Sequence, residues 1–408
     1  MNIGTLDVRV RGDWPVPPTL GGRFAILCAI LRQLTLILQI AVLTGELRGL
    51  KPDVFFVDQL SAGLPLLKLL TGKPIFFYCH FPDLLLVQNR RSLLKRLYRL
   101  PFDKWEEWSI GWADTIAVNS GFTAGVVGQT WPRLVRQKKL EVVYPCIDTA
   151  SISASEGEEN PWPGVKFLLS LNRFERKKNV ALALRAFAAL SPDVRKNAKL
   201  VIAGGYDPRV RENVAHHEEL ATLATELGLS HTTVYRPSTP TDVPLSSISP
   251  DVLFLCSVST DKLKDLLLRH SLLLLYTPSN EHFGIVPLES MLRRTPVLAC
   301  NDGGPTETVV DGETGWLRDA GDVRAWRGVV ESVLGMSESE VKGMGRRGEE
   351  RVRERFGRGV LVGRVEGILE GLVGGSKGRE GLGLGVVMLG AVVALVVGMV
   401  VVSGLVRL

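Results

Sequence analysis

The stretch that decides the fold is Ser279-Asn-Glu-His-Phe-Gly-Ile-Val-Pro-Leu-Glu-Ser-Met291, which follows a leucine-rich run that ends at Tyr276. Pro287 can occupy the first turn of a helix without losing a hydrogen bond, so we expect a helix to begin near Ile285. A strand that leads through a short turn into a helix is the repeating unit of parallel α/β sheets. The stretch therefore predicts an α/β protein.

The same stretch contains the parts of a phosphate site. The N–H groups of Phe283, Gly284 and Ile285 are expected to be free donors at the positive end of the helix, and Gly284 lets the backbone come close to a ligand. Glu281 precedes the helix and Glu289 lies inside it. The two carboxylates could therefore contact two ends of one ligand, such as a sugar hydroxyl and a ribose. The alternative is an ordinary strand-to-helix turn with a surface carboxylate.

A cationic segment, Asn172-Arg-Phe-Glu-Arg-Lys-Lys-Asn179, follows the predicted strand Phe167–Leu171. Ligands of open α/β sheets gather at the carboxyl ends of strands, so these cations lie where a ligand is expected. Arg173 offers a planar fork for phosphate oxygens and Lys178 offers a point charge. Together they could stabilise the negative charge on a departing diphosphate. The alternative is a solvated run of charges.

Polar residues also follow other predicted strands. Tyr78-Cys-His-Phe-Pro-Asp83 closes a strand of the first half and carries His80, for which a catalytic and a structural role both remain open. Gly204-Gly-Tyr-Asp207, which includes Gly205, and the segment from Asn301 to Glu307 are further candidates for ligand binding. Turn formation would explain each of them equally well.

The predicted strands form two series, separated by a segment at 149–164 that is rich in Ser, Glu, Pro and Gly. Each series alternates with helical patterns, which predicts two Rossmann-like domains. The predicted organisation is a first domain at 1–150, a linker at 151–164, a second domain at 165–357, a helix and linker at 358–381, and a membrane-spanning helix at 382–405. That last stretch is uncharged and has about the 20 residues that a spanning helix needs.

Composition narrows the classes of function. The net charge of +6 suggests a negatively charged partner: a phosphate, a nucleic acid or an anionic membrane. The five cysteines form no C-x-x-C pair and are interpreted as reduced core thiols. No P-loop, D-x-D pair or metal-ligand spacing is present, so amides and cations must meet the phosphate charge without a metal. The patterns of single-strand nucleic-acid binders and of nicotinamide-dependent oxidoreductases are absent.

A basic, leucine-rich segment precedes residue 100. It could rest on an anionic membrane surface. The favoured interpretation is a solvated basic face whose apolar side lies in the core. The basic residues are Arg90, Arg91, Lys95, Arg96 and Arg99, and the leucines among them are Leu93, Leu94 and Leu97.

Together these motifs resemble the retaining GT-B glycosyltransferases, whose two Rossmann-like domains face a cleft. More closely, they resemble the dolichol-pathway mannosyltransferases that add the second and third mannoses, in alpha-1,3 and alpha-1,6 linkage, to the lipid-linked oligosaccharide. The resemblance extends over residues 50–320 or so. Its matching stretches are Tyr78–Asp83, Val143–Asp148, Leu171–Asn179, Ile202–Asp207, Tyr276–Glu289 and Gly303–Glu307.

The resemblance implies GDP-mannose as the donor, dolichyl-diphosphate-linked oligosaccharide as the acceptor, and no cofactor or metal. Glu281 would contact the donor mannose, Glu289 the ribose, and His80 the transferred sugar. Attack on the same face of the sugar, with the leaving phosphate taking the acceptor's proton, leaves no protein general base to assign. The remaining donor-binding residues that it implies are Arg173, Lys178, Gly205, Phe283, Gly284 and Ile285.

The resemblance also implies an endoplasmic reticulum membrane protein with its catalytic domains on the cytosolic face. Lys377 and Arg379 before the apolar stretch give a weak charge bias in the same direction. Membrane lipid and other dolichol-pathway mannosyltransferases are the further partners implied, and nucleic acid is not.

The start of the chain departs from the family pattern of a strand and a glycine-rich loop. Gly21-Gly22 precedes a helical run from Phe24 to Val42 with no strand leading into it. The first domain is therefore expected to be incomplete. The alternative function is an inactive relative that binds nucleotide sugar or serves as a scaffold for partner glycosyltransferases.

Overall fold

A computed structural model of the chain describes residues 7–12, 14, 16–20, 23–86, 93–150 and 159–375. The predicted membrane-spanning stretch at 382–405 and most of the predicted linker lie outside the described residues. One compact unit contains the described residues up to Asn119, then Thr123–Val143 and those from Arg364 onward. The second contains Ser120–Phe122 and Tyr144–Gly363, so it begins earlier and ends later than the predicted span 165–357.

The first unit contains a four-stranded parallel sheet in the order β1-β2-β3-β4. Every residue of β2 is buried, as expected for a parallel strand with both faces covered. The sequence predicts these strands at Val54–Val57, Ile75–Cys79, Thr115–Val118 and Val142–Tyr144, so the predictions for β2 and β3 are confirmed, whereas those for β1 and β4 are displaced by one and two residues. The strands are β1 (Phe55–Asp58), β2 (Ile75–Cys79), β3 (Thr115–Val118) and β4 (Leu140–Val142).

Seven helices accompany these strands in the described part of the chain up to Val143. They are α1 (Ala25–Leu38), α2 (Glu46–Leu50), α3 (Leu64–Thr71), α4 (Asp83–Leu86), α5 (Leu93–Ile110), α6 (Gly121–Thr130) and α7 (Pro132–Gln137).

The first helix is long because α1 continues as a π-helical turn at Gln39–Leu43. Among the described residues, Ala25–Leu43 is the one helix with the length and apolar composition to cross a membrane. Its inward face belongs to the core of the first unit. Gln33 fixes it there: its side-chain Nε2 donates to the Leu60 carbonyl at 2.5 Å, and its Oε1 accepts from the Gly63 N–H at 2.7 Å.

The basic segment differs from its prediction. Arg99 is only 5% exposed and pairs with Asp103, Nη2 to Oδ1, at 3.1 Å. Leu93 and Leu97 are instead exposed, so the favoured interpretation with the leucines in the core is wrong for these two. Arg90 and Arg91 lie outside the described residues.

The second unit contains a seven-stranded parallel sheet in the order β11-β10-β9-β5-β6-β8-β7. Five of these strands agree to within two residues at each end with strands that the sequence predicts at Phe167–Leu171, Leu200–Ala203, Val252–Leu255, Leu272–Tyr276 and Val297–Ala299. The short strands at the two edges, β7 and β11, were missed. The seven are β5 (Lys166–Leu171), β6 (Ala198–Gly204), β7 (His231–Tyr235), β8 (Val252–Cys256), β9 (Leu273–Tyr276), β10 (Val297–Cys300) and β11 (Gly315–Arg318).

The order of this sheet places a topological switch point between β5 and β9. On one side of β5 lie β6, β8 and β7, in that spatial order. The chain completes these three strands before it returns to pair β9 with the other side of β5. Ligands of doubly wound sheets bind at the carboxyl ends of the strands beside such a point. The cationic segment Asn172–Asn179 follows β5, and the stretch Ser279–Met291 follows β9.

The helices of the second unit cover both faces of its sheet. α12 begins at Ile285, as predicted. The last helix, α16, has no buried residue among its described positions, and its part from Arg364 onward belongs to the first unit. The helices are α8 (Ala181–Ala188), α9 (Pro192–Arg195), α10 (Arg211–Glu226), α11 (Asp261–His270), α12 (Ile285–Leu292), α13 (Pro305–Thr308), α14 (Val323–Gly335), α15 (Glu338–Phe356) and α16 (Arg358–Gly375).

Candidate functional site

The loop from β9 to α12 is held in place by hydrogen bonds to the loop that follows β10. Asp302 accepts a hydrogen bond from the Asn280 N–H at 2.9 Å and another from the Ser279 hydroxyl. The Gly304 N–H donates to the Glu281 carbonyl at 2.7 Å. A Cβ on Gly304 would lie 2.2 Å from the Cα of Phe283, so only glycine allows this approach. The backbone around Glu281 is therefore fixed by folding.

The start of α12 is open to a ligand. Its N-cap is Gly284, with φ +85°, and no side chain caps it. The first N–H groups of a helix have no partner within the helix, so they are free to bind an anion. Phe283 contributes only its backbone, because its side chain is buried and stacks on Tyr144 at 5.7 Å. The Ile285 side chain is 46% exposed at the helix start.

Glu281 is joined to the cationic segment after β5. Its Oε2 lies 2.5 Å from Lys178 Nζ, and both side chains are mostly buried. The hydroxyl of Thr277 donates to the Lys178 carbonyl at 2.7 Å, which ties the same two loops a second time. Burial raises the pKa of Tyr276 well above its usual value, and the charge on Glu281 raises it further. The structure thus brings together two residues that lie 103 positions apart.

Glu289 is held by a lysine as well. Its Oε1 lies 2.7 Å from Lys264 Nζ. Its Oε2 is buried and has no hydrogen-bond partner within the part of the chain that the structure describes. The pairing with Lys264 is not predictable from the sequence, since this lysine comes from α11 and no spacing links it to Glu289. An ordinary surface carboxylate would have no buried oxygen, so Glu289 does not fit the alternative interpretation of this motif.

Arg173 and Gly205 lie against each other after β5 and β6. The Arg173 guanidinium is exposed and pairs with Glu175 at 3.0 Å. A Cβ on Gly205 would lie 3.1 Å from Cγ of Arg173, so the missing side chain leaves room for the arginine. Phe174 N–H donates to the Gly205 carbonyl at 3.1 Å and joins the two loops. Arg173 can therefore reach a phosphate at the carboxyl edge of the sheet.

Glu307, another residue of a strand-end candidate, has internal partners. Its carboxylate accepts hydrogen bonds from the N–H groups of Gly121 and Phe122 at 2.8 Å and from the Tyr144 hydroxyl at 2.9 Å, all within the second unit. The pKa of Tyr144 is raised by burial and by this carboxylate. We assign Glu307 a structural role.

His80 belongs to the first unit. Its Nε2 lies 2.9 Å from Oδ1 of Asp58, and its ring stands edge-on to Tyr78 at 5.0 Å. Asp58 was not predicted as a site residue. It ends β1 beside β2, which is the signal that could have found it. An exposed histidine with a carboxylate partner can orient its ring toward a ligand.

The residues of the second unit are suited to a phosphorylated sugar. The carboxylates can accept hydrogen bonds from hydroxyls, while the lysines, Arg173 and the start of α12 can bind phosphate oxygens. Among the described residues, no group of three or more His, Cys, Asp or Glu side chains is placed to hold a metal ion.

Comparisons with known proteins match most of the chain. The family model for glycosyltransferase family 4 matches residues 15–151, and that for glycosyl transferases group 1 matches residues 154–246 and 245–351. The chain is 59% identical to alpha-1,3/1,6-mannosyltransferase alg-2 of Neurospora crassa, over 97% of this chain and 85% of that protein. The chain belongs to the alpha-1,3/1,6-mannosyltransferase family. The resemblance found in the sequence is thereby confirmed.

Two other members of the family also match this chain over more than nine tenths of its length. Identity to alpha-1,3/1,6-mannosyltransferase ALG2 of Rhizomucor pusillus is 45%, over 95% of this chain and 85% of that protein. The protein of the same name from Saccharomyces cerevisiae is 41% identical, over 92% of this chain and 76% of its own length.

Solved structures confirm the predicted fold class. An alpha,alpha-trehalose-phosphate synthase from Burkholderia vietnamiensis superposes with a TM-score of 0.66 at 13% identity, covering 88% of this chain and 80% of that one. Sucrose-phosphate synthase from Thermosynechococcus elongatus gives 0.60 at 16% identity, covering 86% and 81%. At such identities the likeness shows the fold alone, which is GT-B.

Proposed function

We propose that this chain transfers mannose from GDP-mannose to a dolichyl-diphosphate-linked oligosaccharide, with retention and in alpha-1,3 and alpha-1,6 linkage, on the cytosolic face of the endoplasmic reticulum. The observation that carries the proposal is the pair of lysine-bound carboxylates, Glu281 and Glu289, on either side of the open start of α12. The mannosyltransferase names of the relatives support the sugar and the linkages.

The donor lies along α12 in this proposal. Glu281 accepts hydrogen bonds from mannose hydroxyls, and the free Oε2 of Glu289 accepts one from the ribose. The diphosphate sits at the amides of Gly284 and Ile285. Arg173 and Lys178 meet its negative charge, since no metal is proposed to do so.

The transfer needs no protein base. The bond between the anomeric carbon of mannose and its phosphate oxygen breaks, and an acceptor hydroxyl oxygen bonds to the same face of that carbon. The acceptor's proton goes to the leaving phosphate of GDP. The residues of this chain position the donor and stabilise the charge that grows on the diphosphate, and His80 contacts the transferred sugar.

The proposed acceptor is a lipid, and two features of the chain support a reaction at a membrane surface. The apolar stretch at 382–405 has the length of a spanning helix. In the first unit, Leu85, Leu86, Leu93 and Leu97 are all exposed, and such apolar surface is stabilised by a lipid interface.

The direct test uses membranes that contain the full chain. They are incubated with labelled GDP-mannose and a dolichyl-diphosphate chitobiose that carries one mannose. We expect products with one and then two further mannoses, whose linkages are assigned by linkage-specific mannosidases. UDP-glucose should give no product, and EDTA should leave the rate unchanged. Failure to extend the lipid, or extension with glucose instead, would refute the proposal.

The variant Glu281→Gln tests the role that the proposed function gives to Glu281. Loss of a charge-assisted hydrogen bond should lower kcat by roughly 10- to 100-fold. Glu218→Gln, which changes an exposed carboxylate of α10, is the matched control and should behave as the unmodified protein. Equal rates for the two variants would contradict the role of Glu281.

A further inference from the structure

The turn that carries His80 is held by a carboxylate from another helix. Glu106 of α5 accepts a hydrogen bond from the Asp83 N–H at 2.7 Å with Oε1, and one from the Leu84 N–H at 3.1 Å with Oε2. These amides belong to the first two residues of α4 and follow His80 by three and four positions. Both oxygens of one carboxylate thus do the work of a helix cap, from 22 and 23 residues further along the chain.

The surroundings of Glu106 bring its titration close to neutral pH. Burial raises its pKa to about 7; the amides of Asp83 and Leu84 and the charge on Arg99 pull in the opposite direction, and the charge on Asp83 adds to the rise. The charged and titratable groups that face it are Asp83 from α4, Arg99 from α5 and the thiol of Cys79 from β2, and Asp103 pairs with Arg99 beside them. Trp105 ties α5 to the loop after β1 by donating to the Ala62 carbonyl at 3.3 Å.

The two hydrogen bonds depend on the ionised form. A carboxylate accepts at both oxygens, whereas a protonated carboxyl group must use one oxygen to donate. Protonation would therefore release one of the two amides at the start of α4 and loosen the turn on the His80 side. The ring of His80 is also held by the hydrogen bond to Asp58 and by its edge-on contact with Tyr78.

We propose that Glu106 is a positioning residue for the transfer reaction: its ionised carboxylate fixes the turn from His80 to Leu84 and so sets the position of the His80 ring. The inference rests on the proposed function, in which His80 lies against the transferred sugar. In this proposal Glu106 acts through the backbone of the turn and needs no contact with the donor or the acceptor.

Amide hydrogen exchange tests the positioning without any assay of activity. The full chain in detergent is compared with Glu106→Gln and with Glu107→Gln, which changes the neighbouring glutamate on α5. We expect peptides covering residues 79–86 to exchange faster only in Glu106→Gln, with residues 281–289 unchanged in all three proteins. Equal exchange of residues 79–86 in the two variants would overturn the proposal.

If Glu106→Gln does not fold, amide exchange of the unmodified protein at two pH values tests the same proposal. After correction for the intrinsic rates of amide exchange, residues 83 and 84 should be better protected at pH 8 than at pH 6, because the carboxylate is ionised at the higher pH. Protection that is independent of pH over this range would count against the role of the ionised form.

The rate profile tests the link to catalysis. With the unmodified protein and with Glu107→Gln, kcat should rise as the pH passes through about 7. Glu106→Gln should lack this rise and should lower kcat at pH 8 by roughly 10-fold, while KM for GDP-mannose stays within about twofold because the donor residues lie in the second unit. A rise near pH 7 that persists in Glu106→Gln would overturn the proposal.

The two proposals fail in different ways. If none of the proteins transfers mannose, the proposed function is wrong, while the exchange experiment still decides whether Glu106 holds the turn. If transfer is normal and neither exchange nor the pH profile changes in Glu106→Gln, only the positioning role is wrong.

Discussion

The two oxygens of Glu289 have unequal surroundings. One is paired with Lys264, and the other is buried without a partner among the described residues. A buried acceptor left without a hydrogen bond costs about 1–3 kcal/mol, so the fold tolerates a local penalty at this residue. In the proposed function a ribose hydroxyl donates to Oε2 and removes that penalty, so we expect Glu289 to contribute strongly to donor binding.

We therefore expect Glu289→Gln to weaken the binding of GDP-mannose by roughly 10-fold or more, since a charge-assisted hydrogen bond becomes a neutral one and Lys264 loses its ion pair. Isothermal titration with GDP-mannose measures the Kd. Glu218→Gln serves again as the control and should bind as the unmodified protein does. An unchanged Kd for Glu289→Gln would show that the ribose is bound elsewhere.

Some site residues can be found from the sequence because their positions are set locally. Gly284, Pro287 and the two glutamates lie on one strand–turn–helix segment, so their spacing alone places them around a helix start. Lys264 and Asp58 could not be assigned in this way. Their partners come from other elements, and only the order of strands in the sheets brings them close.

At the scale of elements, the loop after β10 is the support of the candidate site. It packs so closely on the Glu281–Phe283 backbone that a Cβ on Gly303 or Gly304 would overlap backbone atoms. Backbone atoms cannot move aside as a flexible side chain can. The position of Glu281 therefore depends on a loop that itself need not touch the ligand.

We expect Gly304→Ala to lower the free energy of unfolding by about 1–3 kcal/mol, the usual cost of overpacking, and to raise KM for GDP-mannose because Glu281 is displaced. Thermal unfolding and initial rates measure the two effects. The control is Gly328→Ala in the interior of α14, where a Cβ meets nothing within 4 Å. The control should be neutral or more stable, and a fully active Gly304→Ala would contradict the supporting role of the loop.

The two strands that were not predicted from the sequence, β7 and β11, escaped prediction for the same reason. β7 is His231-Thr-Thr-Val-Tyr235 and β11 is Gly315-Trp-Leu-Arg318, and both lie at the edges of the larger sheet. Edge strands are only partly covered, so they lack the run of aliphatic residues that marks central parallel strands. The central strands of that sheet carry this run and were predicted.

At the scale of the whole molecule, the two units differ in how pH affects their stability. In the first, burial raises the pKa of Glu106, because the charged form costs free energy in the folded unit even though it holds the two α4 amides. The stability of the whole unit that comes from the protonated form is full below about pH 4.5 and is lost as the pH rises through about 7. In the second, burial raises the pKa of Asp265, but hydrogen bonds and charge from Arg269 and Arg293 outweigh burial and lower it overall. The contribution of Asp265 is present above its ordinary pKa and is lost as the pH falls below it.

We expect Asp265→Asn to lower the Tm at pH 6 by roughly 4 °C, because the carboxylate that joins Arg269 of α11 to Arg293 is removed. At pH 3 the difference from the unmodified protein should narrow. Differential scanning calorimetry at both values checks this. Asp193→Asn, at an exposed pair with Lys196, should change the Tm little at either pH. A difference that does not depend on pH would contradict the ionic origin.

The switch point between β5 and β9 has a consequence for how the protein is made. Lys178 leaves the ribosome 103 residues before Glu281, which corresponds to about 5–20 s of synthesis at the usual rates. During this interval β5 can pair with β6, but its other edge has no strand to bind until β9 emerges. An open edge in a nascent sheet is a point of aggregation. The pairing that builds the candidate donor site is thus also the step that closes an exposed edge of the growing chain.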